Sequence, residues 1–268
     1  MDPSGIDIVI TRASEAGKLP PQNPSAGDSE VLFHQGWANF PDGPSHHHPS
    51  SSECWNKAHA SRKTGVQDVY ASFSTFMLGW CYLQGIGVAR DEKQACILFQ
   101  ESIVDAFQLG KMVFGPENNK GYYHLESDSH AATVFFDRCK LATSISPSWI
   151  CKHLVALCHL YGYGVARSEE TAVQVLMDLA HEGHDVSQTE LAKCLYTGYG
   201  VSKYYTRSIY WFQKAADMGY QGGQFGLGIS FYYGKGNDRN YKKAANFFER
   251  SALQGNSAAQ FCLGICYN

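Results

Sequence analysis

The sequence has no long hydrophobic run. None of its apolar stretches approaches the about 20 residues that a membrane-spanning helix needs. The segment 1–30 also lacks the apolar block of about 7 to 15 residues that marks a cleavable signal peptide. No Asn-x-Ser/Thr glycosylation site with x other than proline occurs in the chain. We therefore expect a protein without a membrane span, in the cytoplasm or alternatively in the nucleus, while a longer precursor or another isoform is left open.

A strong excess of charge of either sign is also missing. The chain has 22 lysines and arginines against 25 aspartates and glutamates, which gives a net charge of −3. A nucleic acid or an anionic membrane would attract a basic surface, and this composition does not supply one. We therefore expect neither as a partner.

Catalytic motifs are missing as well. The chain has no Gly-x-Ser-x-Gly elbow, no Walker loop and no His-Glu-x-x-His sequence. His153 and His159 are six residues apart, so they would not share one face of a helix. Asp91 and Glu92 suit the start of a helix, where acidic groups favour the helix dipole, better than an acid–base pair. We predict no catalytic residue, no cofactor and no metal site, and hence a protein that is not an enzyme.

Prolines are scarce after residue 66, because seven of the nine lie before it. The same segment contains a Ser- and His-rich run around His46–His48. Such a composition breaks helices and buries too little apolar surface to offset the ordering entropy. We predict a disordered, low-complexity N-terminal arm over residues 1–66. Two short apolar islands, Ile6–Ile10 and Val31–Trp37, are candidate docking motifs, and the histidines are interpreted as low-complexity sequence in preference to a metal site.

Short turns that contain two glycines, here called glycine corners, are abundant in the chain. The sequence Gly85-Ile86-Gly87-Val88 returns in similar form at positions 162, 198 and 234, and in degenerate form at position 121. The last three corners are 36 residues apart, and the step from Gly121 to Gly162 is longer because five residues are inserted. Self-similarity at a fixed period of about 20 to 50 residues is typical of a solenoid.

Equivalent positions around the corners repeat too. Counted from the first glycine, small residues recur ten positions later and large apolar residues thirteen positions later, which fits one face of a helix. Six positions before each of the five corners stands a small residue that follows a large one, which indicates a second helix that a neighbour approaches closely. Each unit is therefore predicted as helix A, a glycine corner and helix B. The small residues of helix B are Ala95, Ala131, Ala172, Ser208 and Ala244.

One such helix pair cannot bury its apolar face alone. Five and a half stacked pairs predict an all-α superhelical solenoid over residues 67–268. Pro116 falls in helix A of the second unit, so we expect a degenerate, distorted repeat there. In the final half unit, Phe261, Leu263 and Ile265 are expected to be partly exposed. The predicted units lie near 70–106, 107–148, 149–183, 186–219, 221–255 and 257–268.

Four of the nine cysteines occupy one position, four residues before the corner. A repeated single position suits packing of a small, soft side chain. Cysteines in stacked units would lie too far apart for a disulfide, which needs Cα atoms within about 7 Å. Cys262 and Cys266 lie one helical turn apart but lack further metal ligands nearby, so packing is favoured there too. We expect free cysteines in a reducing compartment. The four repeated cysteines are Cys81, Cys158, Cys194 and Cys266.

The pattern resembles the Sel-1-like repeat, a cousin of the tetratricopeptide repeat. The run Leu78–Ala95 carries a Leu-Gly pair, a tyrosine, the Gly-x-Gly-Val corner, an aspartate and an alanine in the positions of that repeat. The run Gly198–Gly219 matches its corner and its Trp-Phe-x-Lys-Ala-Ala-x-x-Gly helix. The resemblance covers residues 70–268 and is specific for every full unit except the second. Some bacterial members of the family join helices A and B by a disulfide, but here the helix B partner is missing wherever helix A has its cysteine.

The resemblance implies a scaffold or adaptor for protein complexes. A protein or peptide partner would bind to the concave face, which helices A line in tetratricopeptide-like stacking. The alternatives are a regulatory subunit of an enzyme and a cryptic hydrolase whose active part is not recognisable in this chain. Candidate aromatic anchors for a partner are Trp80, Tyr196, Tyr204, Tyr205 and Tyr232, although most of these are expected to pack between units.

Overall fold

The structure is a computed structural model that describes residues 28–38, 40, 49–62, 68–104, 129–145 and 148–267. These residues form twelve α-helices and no β-strand. None of these helices combines the length and the apolar character required to cross a membrane. The helices are α1 (Asp28–Ala38), α2 (Pro49–Ala60), α3 (Val69–Gln84), α4 (Glu92–Glu101), α5 (His130–Ile145), α6 (Trp149–Tyr161), α7 (Glu169–His181), α8 (Asp185–Thr197), α9 (Tyr205–Asp217), α10 (Gln221–Tyr233), α11 (Tyr241–Leu253) and α12 (Ser257–Tyr267).

Successive helices pack side by side. The pairs α3–α4, α6–α7, α8–α9 and α10–α11 each join a helix A to a helix B through a glycine corner. From α5 onward every helix packs against the next one, and the neighbouring A helices α8 and α10 also touch. This arrangement confirms the predicted all-α superhelical solenoid.

Among the described residues, four glycine corners end their helix A in the left-handed region of backbone conformation. The first corner glycine has a φ of 72° at Gly85, 68° at Gly162, 80° at Gly198 and 64° at Gly234. Glycine adopts these angles without the steric penalty that a Cβ atom brings. The N–H of Gly198 donates to the carbonyl of Cys194 at 2.8 Å, so the repeated cysteine position also supplies the backbone acceptor that closes the corner.

A small residue in helix A receives an aromatic ring from helix B. A Cβ atom placed on Gly79 would lie 3.0 Å from the ring of Phe99, and one placed on Gly228 would lie 2.5 Å from the ring of Phe248. Both rings are buried. In these two units the large–small pair is therefore a point where the two helices approach each other closely.

Two helices, α1 and α2, lie within the segment 1–66 that was predicted as a disordered arm. Phe33 and Trp55 are both fully buried, and Gly36 lies directly against the Trp55 indole, in the manner of Gly79 and Phe99. Ser29 donates from its hydroxyl to the carboxylate of Asp68 at 2.7 Å, which ties α1 to the start of α3. In this part of the segment the structure differs from the expectation, because the side chains of Phe33 and Trp55 pack into the common core.

Other parts of the predicted arm, including Ile6–Ile10 and His46–His48, lie outside the described residues. So does residue range 105–128, which holds Pro116 and most of the second unit that was expected to be distorted. Helix α5, at the end of that unit, is described. The next corner rests on it, because a Cβ atom on Gly164 would overlap the backbone of Ala132.

All nine cysteines are free, as expected from their spacing. Cys81, Cys158 and Cys194 of the repeated position are buried, and Cys266 is half-buried in the final half unit. Burial raises the pKa of the three buried thiols well above its ordinary value, because a thiolate would be desolvated there. These burials confirm the interpretation of this position as a packing position.

Candidate functional site

Helix α8 is covered on every side along its first half. Eight consecutive residues, Asp185–Ala192, are all buried. A solenoid helix with one open face would expose a side chain every third or fourth residue. Several of these buried side chains are polar, among them Gln188, Thr189 and Glu190. Something within the chain therefore covers the face of helix A that a tetratricopeptide-like solenoid would leave open.

At the start of α8, part of this cover comes from α4, the helix B of the first unit, and from the residues just before it. The guanidinium of Arg90, just before α4, lies 3.9 Å from the carboxylate of Asp185 at the start of α8. At the start of α10, the side-chain amide of Gln221 donates to the Sγ atom of Cys96 at 3.5 Å, across 125 residues of sequence. We call the set Arg90, Glu92, Cys96, Asp185 and Gln221 the α4 junction. It brings the first unit against the fourth and fifth.

Charge in the α4 junction is only partly balanced. Arg90 donates to Glu92 at 2.6 Å, so one guanidinium serves both Glu92 and Asp185. Burial raises the pKa of Glu92 and of Asp185, and the nearby Arg90 opposes that rise in both. Tyr220, which lies beside these groups, also has its pKa raised by burial and by the surrounding carboxylates. Two carboxylates and one guanidinium leave the junction with a formal excess of negative charge.

Several buried polar atoms of this region have no hydrogen-bond partner among the described residues. They include one carboxylate oxygen of Glu92 and the side-chain carbonyl oxygens of Gln188 and Gln221. The hydroxyl of Thr189 is also buried without a hydrogen-bond partner among the described residues. A buried polar group without a partner costs about 1–3 kcal/mol. The contact between α4 and helices α8 and α10 is therefore buried but poorly satisfied.

Aromatic packing borders these polar groups. Trp80 is fully buried, and its ring lies 6.3 Å from Trp149 and 5.5 Å from His153, measured between centroids. His184 stacks on Trp149 at 4.2 Å. The Nδ1 atom of His153 lies 2.9 Å from the hydroxyl of Ser187, and burial lowers the pKa of His153 to about 3. His153 is therefore a neutral interior side chain at physiological pH.

His159 lies apart from His153, with its ring 5.4 Å from Phe136. Within the described ranges, no group of three His, Cys, Asp or Glu side chains is arranged to hold a metal ion.

The five aromatic anchors predicted from sequence have different surroundings. Trp80 is in the core, while Tyr196 packs edge-on against Tyr205 at 5.3 Å and Tyr232 against Tyr241 at the same distance. Tyr204 is half exposed, with the guanidinium of Arg207 5.0 Å above its ring.

The structure adds an exposed surface that the sequence did not single out, on the outer side of α9. Tyr210 is 53 % exposed there, and the ammonium of Lys214 lies 5.7 Å from its ring. Aromatic and cationic side chains of this kind are frequent in protein interfaces. A weak signal was present in the sequence, because polar residues surround Tyr210 on α9. This outer surface is a shallow groove lined by Thr206, Ile209, Tyr210, Gln213, Lys214 and Asp217.

The repeats match a known family. The family model for the Sel1 repeat matches residues 72–103, 150–174, 185–220 and 222–256. The chain is a Sel1-repeat protein. The four matches fall on the first, third, fourth and fifth predicted units of this Sel1-repeat protein, which are the units in which the resemblance was specific. Sel1 repeats typically mediate protein–protein interactions.

Solved structures of similar proteins include a protective antigen of uropathogenic Escherichia coli with an SLR fold. It is 21 % identical, with 95 % of this chain and 50 % of that chain covered and a TM-score of 0.44. A Sel1 repeat protein from Oxalobacter formigenes is 17 % identical, with 91 % and 75 % covered and a TM-score of 0.47. The chain thus spans half the length of the antigen. A comparison with curated proteins finds no significant match.

Proposed function

We propose that this Sel1-repeat protein is a non-enzymatic scaffold or adaptor, which binds a protein or peptide partner through the concave face of its solenoid. We assign that face to the side of α8 and α10 that carries Gln188, Thr189 and Gln221. The repeat family supports the general role, since Sel1 repeats typically mediate protein interactions. The choice of face depends on the chemistry of the side chains on it.

The observation that carries the proposal is the set of buried polar groups on α8 and α10. Gln188, Thr189 and Gln221 are at most 4 % exposed, yet each has a polar atom without a partner among the described residues. A face that served packing alone would be more stable with apolar side chains of the same shape. Polar groups at these positions are useful if the face meets a partner that completes their hydrogen bonds.

A capture experiment tests this proposal. The full chain would be used as bait, with captured proteins identified and quantified by mass spectrometry. The test variant is Thr189→Val with Gln221→Leu, which keeps the approximate shape of the face and removes two of its three polar side chains. The matched control is Tyr210→Ala with Lys214→Ala on the outer surface of α9. Circular dichroism and the thermal midpoint would show that both variants fold.

We expect a stoichiometric partner to be captured by the unaltered chain and by the control variant, and to be reduced at least about tenfold with the test variant. Loss of the partner with the control variant alone would place binding on the outer surface of α9 and reject the concave face. If no partner is captured stoichiometrically by any of the three proteins, the scaffold proposal itself fails.

A further inference from the structure

The face assigned to a partner is already contacted by another helix of this chain, at Gln221. Helix α4 lies over the starts of α8 and α10, and Lys93 on α4 reaches the connection before α12 at Gly255. We propose that α4 is an intramolecular occupant of the concave face, and that a partner enters this face only by displacing α4 from α8 and α10. This inference rests on the function proposed above and adds a competitor to it.

Helix α4 makes two different contacts. One face buries Ala95, Leu98 and Phe99, and the ring of Phe99 packs onto Gly79 of α3. Cys96, which is also buried and adjoins that face, and Arg90, just before the helix, belong to the α4 junction. The contact with α3 is apolar and close-packed, so it gains from every buried ring.

The α4 junction is the weaker of these two contacts. Its ion pair between Arg90 and Asp185 spans 3.9 Å, and its one hydrogen bond from Gln221 ends on a sulfur atom, which is a weak acceptor. Glu92 and Gln221 each retain a buried oxygen without a partner among the described residues. Because an unsatisfied polar contact gains little from burial, the junction separates at a lower cost than the contact between α4 and α3.

The contacts of α4 also define what a displacing partner offers. It presents a cationic side chain to Asp185, in place of Arg90, and a small side chain to Gln221, in place of Cys96. In α4 the basic residue precedes the helix and the small one lies in its second turn, so a displacing segment with the same arrangement carries a basic residue just before a helix and a small residue in the second turn of that helix. Because the partner binds only molecules in which α4 is displaced, its apparent affinity falls in proportion to the fraction of such molecules. If about 1 % of the molecules have α4 displaced, binding is weakened about 100-fold.

Thiol labelling measures whether the junction opens. Cys54, Cys262 and Cys266 would be replaced by serine in the full chain, which leaves six buried cysteines. The rate at which N-ethylmaleimide modifies each remaining thiol would then be followed by mass spectrometry under native conditions. Cys96 reports separation of α4 from α10, whereas Cys194, fully buried in α8, reports global unfolding.

We expect Cys96 to be modified at least about tenfold faster than Cys194, because the junction opens locally. Arg90→Glu places a third carboxylate beside Glu92 and Asp185, and it should speed Cys96 modification at least about tenfold further without changing Cys194. Arg207→Glu, on the exposed side of α9, is the matched control and should change neither rate. Equal rates for Cys96 and Cys194 in both the parent chain and Arg90→Glu would overturn the inference.

Thiol labelling in the presence of a partner distinguishes the two proposals. Addition of a partner identified in the capture experiment should raise the Cys96 rate, since the bound state holds α4 away from α10. A partner that binds the concave face while the Cys96 rate is unchanged overturns the displacement and leaves the scaffold function intact. Fast, Arg90-dependent modification of Cys96 in the absence of any captured partner supports the displaceable junction and rejects only the proposed function.

Discussion

Phe248 of α11 packs so closely onto Gly228 of α10 that a Cβ atom at position 228 would lie 2.5 Å from its ring. The equivalent glycine of the final half unit, Gly264, has no atom within 4 Å of the same position. The two glycines thus occupy equivalent positions of the repeat in opposite environments, because a helix B packs on Gly228 and none of the described residues packs on Gly264.

Gly228→Ala should destabilise the chain by about 1–2 kcal/mol, because displacing the buried Phe248 ring costs more than the helix gains from alanine. Gly264→Ala is the matched control and should stabilise by about 0.5–1 kcal/mol, since only helix propensity changes. Urea unfolding followed by circular dichroism measures both. Stabilisation by Gly228→Ala would show that the close approach between α10 and α11 is absent.

The glycines with positive φ differ in how closely the chain surrounds them, both in the corners and in the connections after helix B. Gly219, before α10, has a φ of 87° and no atom within 4 Å of a Cβ, so Gly219→Ala should cost only the conformational strain of about 1 kcal/mol. Gly200 has a φ of 65°, and a Cβ there would lie 2.6 Å from the backbone of Glu169. Gly200→Ala should therefore cost at least about 1 kcal/mol more than Gly219→Ala in the same urea experiment. Equal costs would mean that the corner does not rest on α7.

The corners and the paired helices could be predicted because their signals are local and repeated. A glycine that ends helix A and an aromatic that packs on a small residue recur at fixed offsets, so each copy supports the others. Helices α1 and α2 gave no such signal. The spacing from Gly36 to Trp55 is one position shorter than the spacing from Gly79 to Phe99, and no glycine corner lies between α1 and α2 to set the register. Averaged over the segment 1–66, the composition is also rich in proline and serine, so it hides the short apolar stretch around Phe33.

The α4 junction could not be predicted, because nothing in the repeat pattern relates Cys96 to Gln221. A contact across 125 residues depends on how successive units are rotated, and the sequence encodes that rotation only through many packing details. The sequence did supply the polar residues of α8, such as Gln188 and Thr189, but it could not show that they are buried. The burial of Trp80 was likewise a consequence of packing against α6, which only the structure reveals.

His153 should make the chain sensitive to acid. Its folded-state pKa is lowered to about 3 from 6.5, so the unfolded chain binds a proton more readily. The stability that His153 contributes is therefore present above pH 6.5 and is lost as the pH falls toward 3. Between pH 7 and pH 4 this loss is on the order of 3 kcal/mol.

The check is a comparison with His153→Gln, which preserves a polar group for Ser187 and removes the titration. The free energy of unfolding of the unaltered chain should fall more steeply with acid than that of the variant. His181→Gln, on an exposed residue of α7, is the control and should leave the slope unchanged. Parallel slopes for the unaltered chain and His153→Gln would contradict the buried, neutral state of this histidine.

Glu92 should have the opposite dependence on pH. Burial raises its folded-state pKa above 4.5, so the folded state is favoured by protonation, and the charged carboxylate is a cost at neutral pH. Glu92→Gln removes that charge and leaves an oxygen that can accept from Arg90. We expect the variant to be more stable than the unaltered chain at pH 7.5, with an advantage that shrinks as the pH falls toward 4.5 and Glu92 takes up its proton.

Urea unfolding at a series of pH values measures the difference, and Glu249→Gln on the exposed side of α11 should show no such trend. An advantage of Glu92→Gln that grows as the pH falls would reverse the sign and would mean that Glu92 is stabilised as a carboxylate by Arg90.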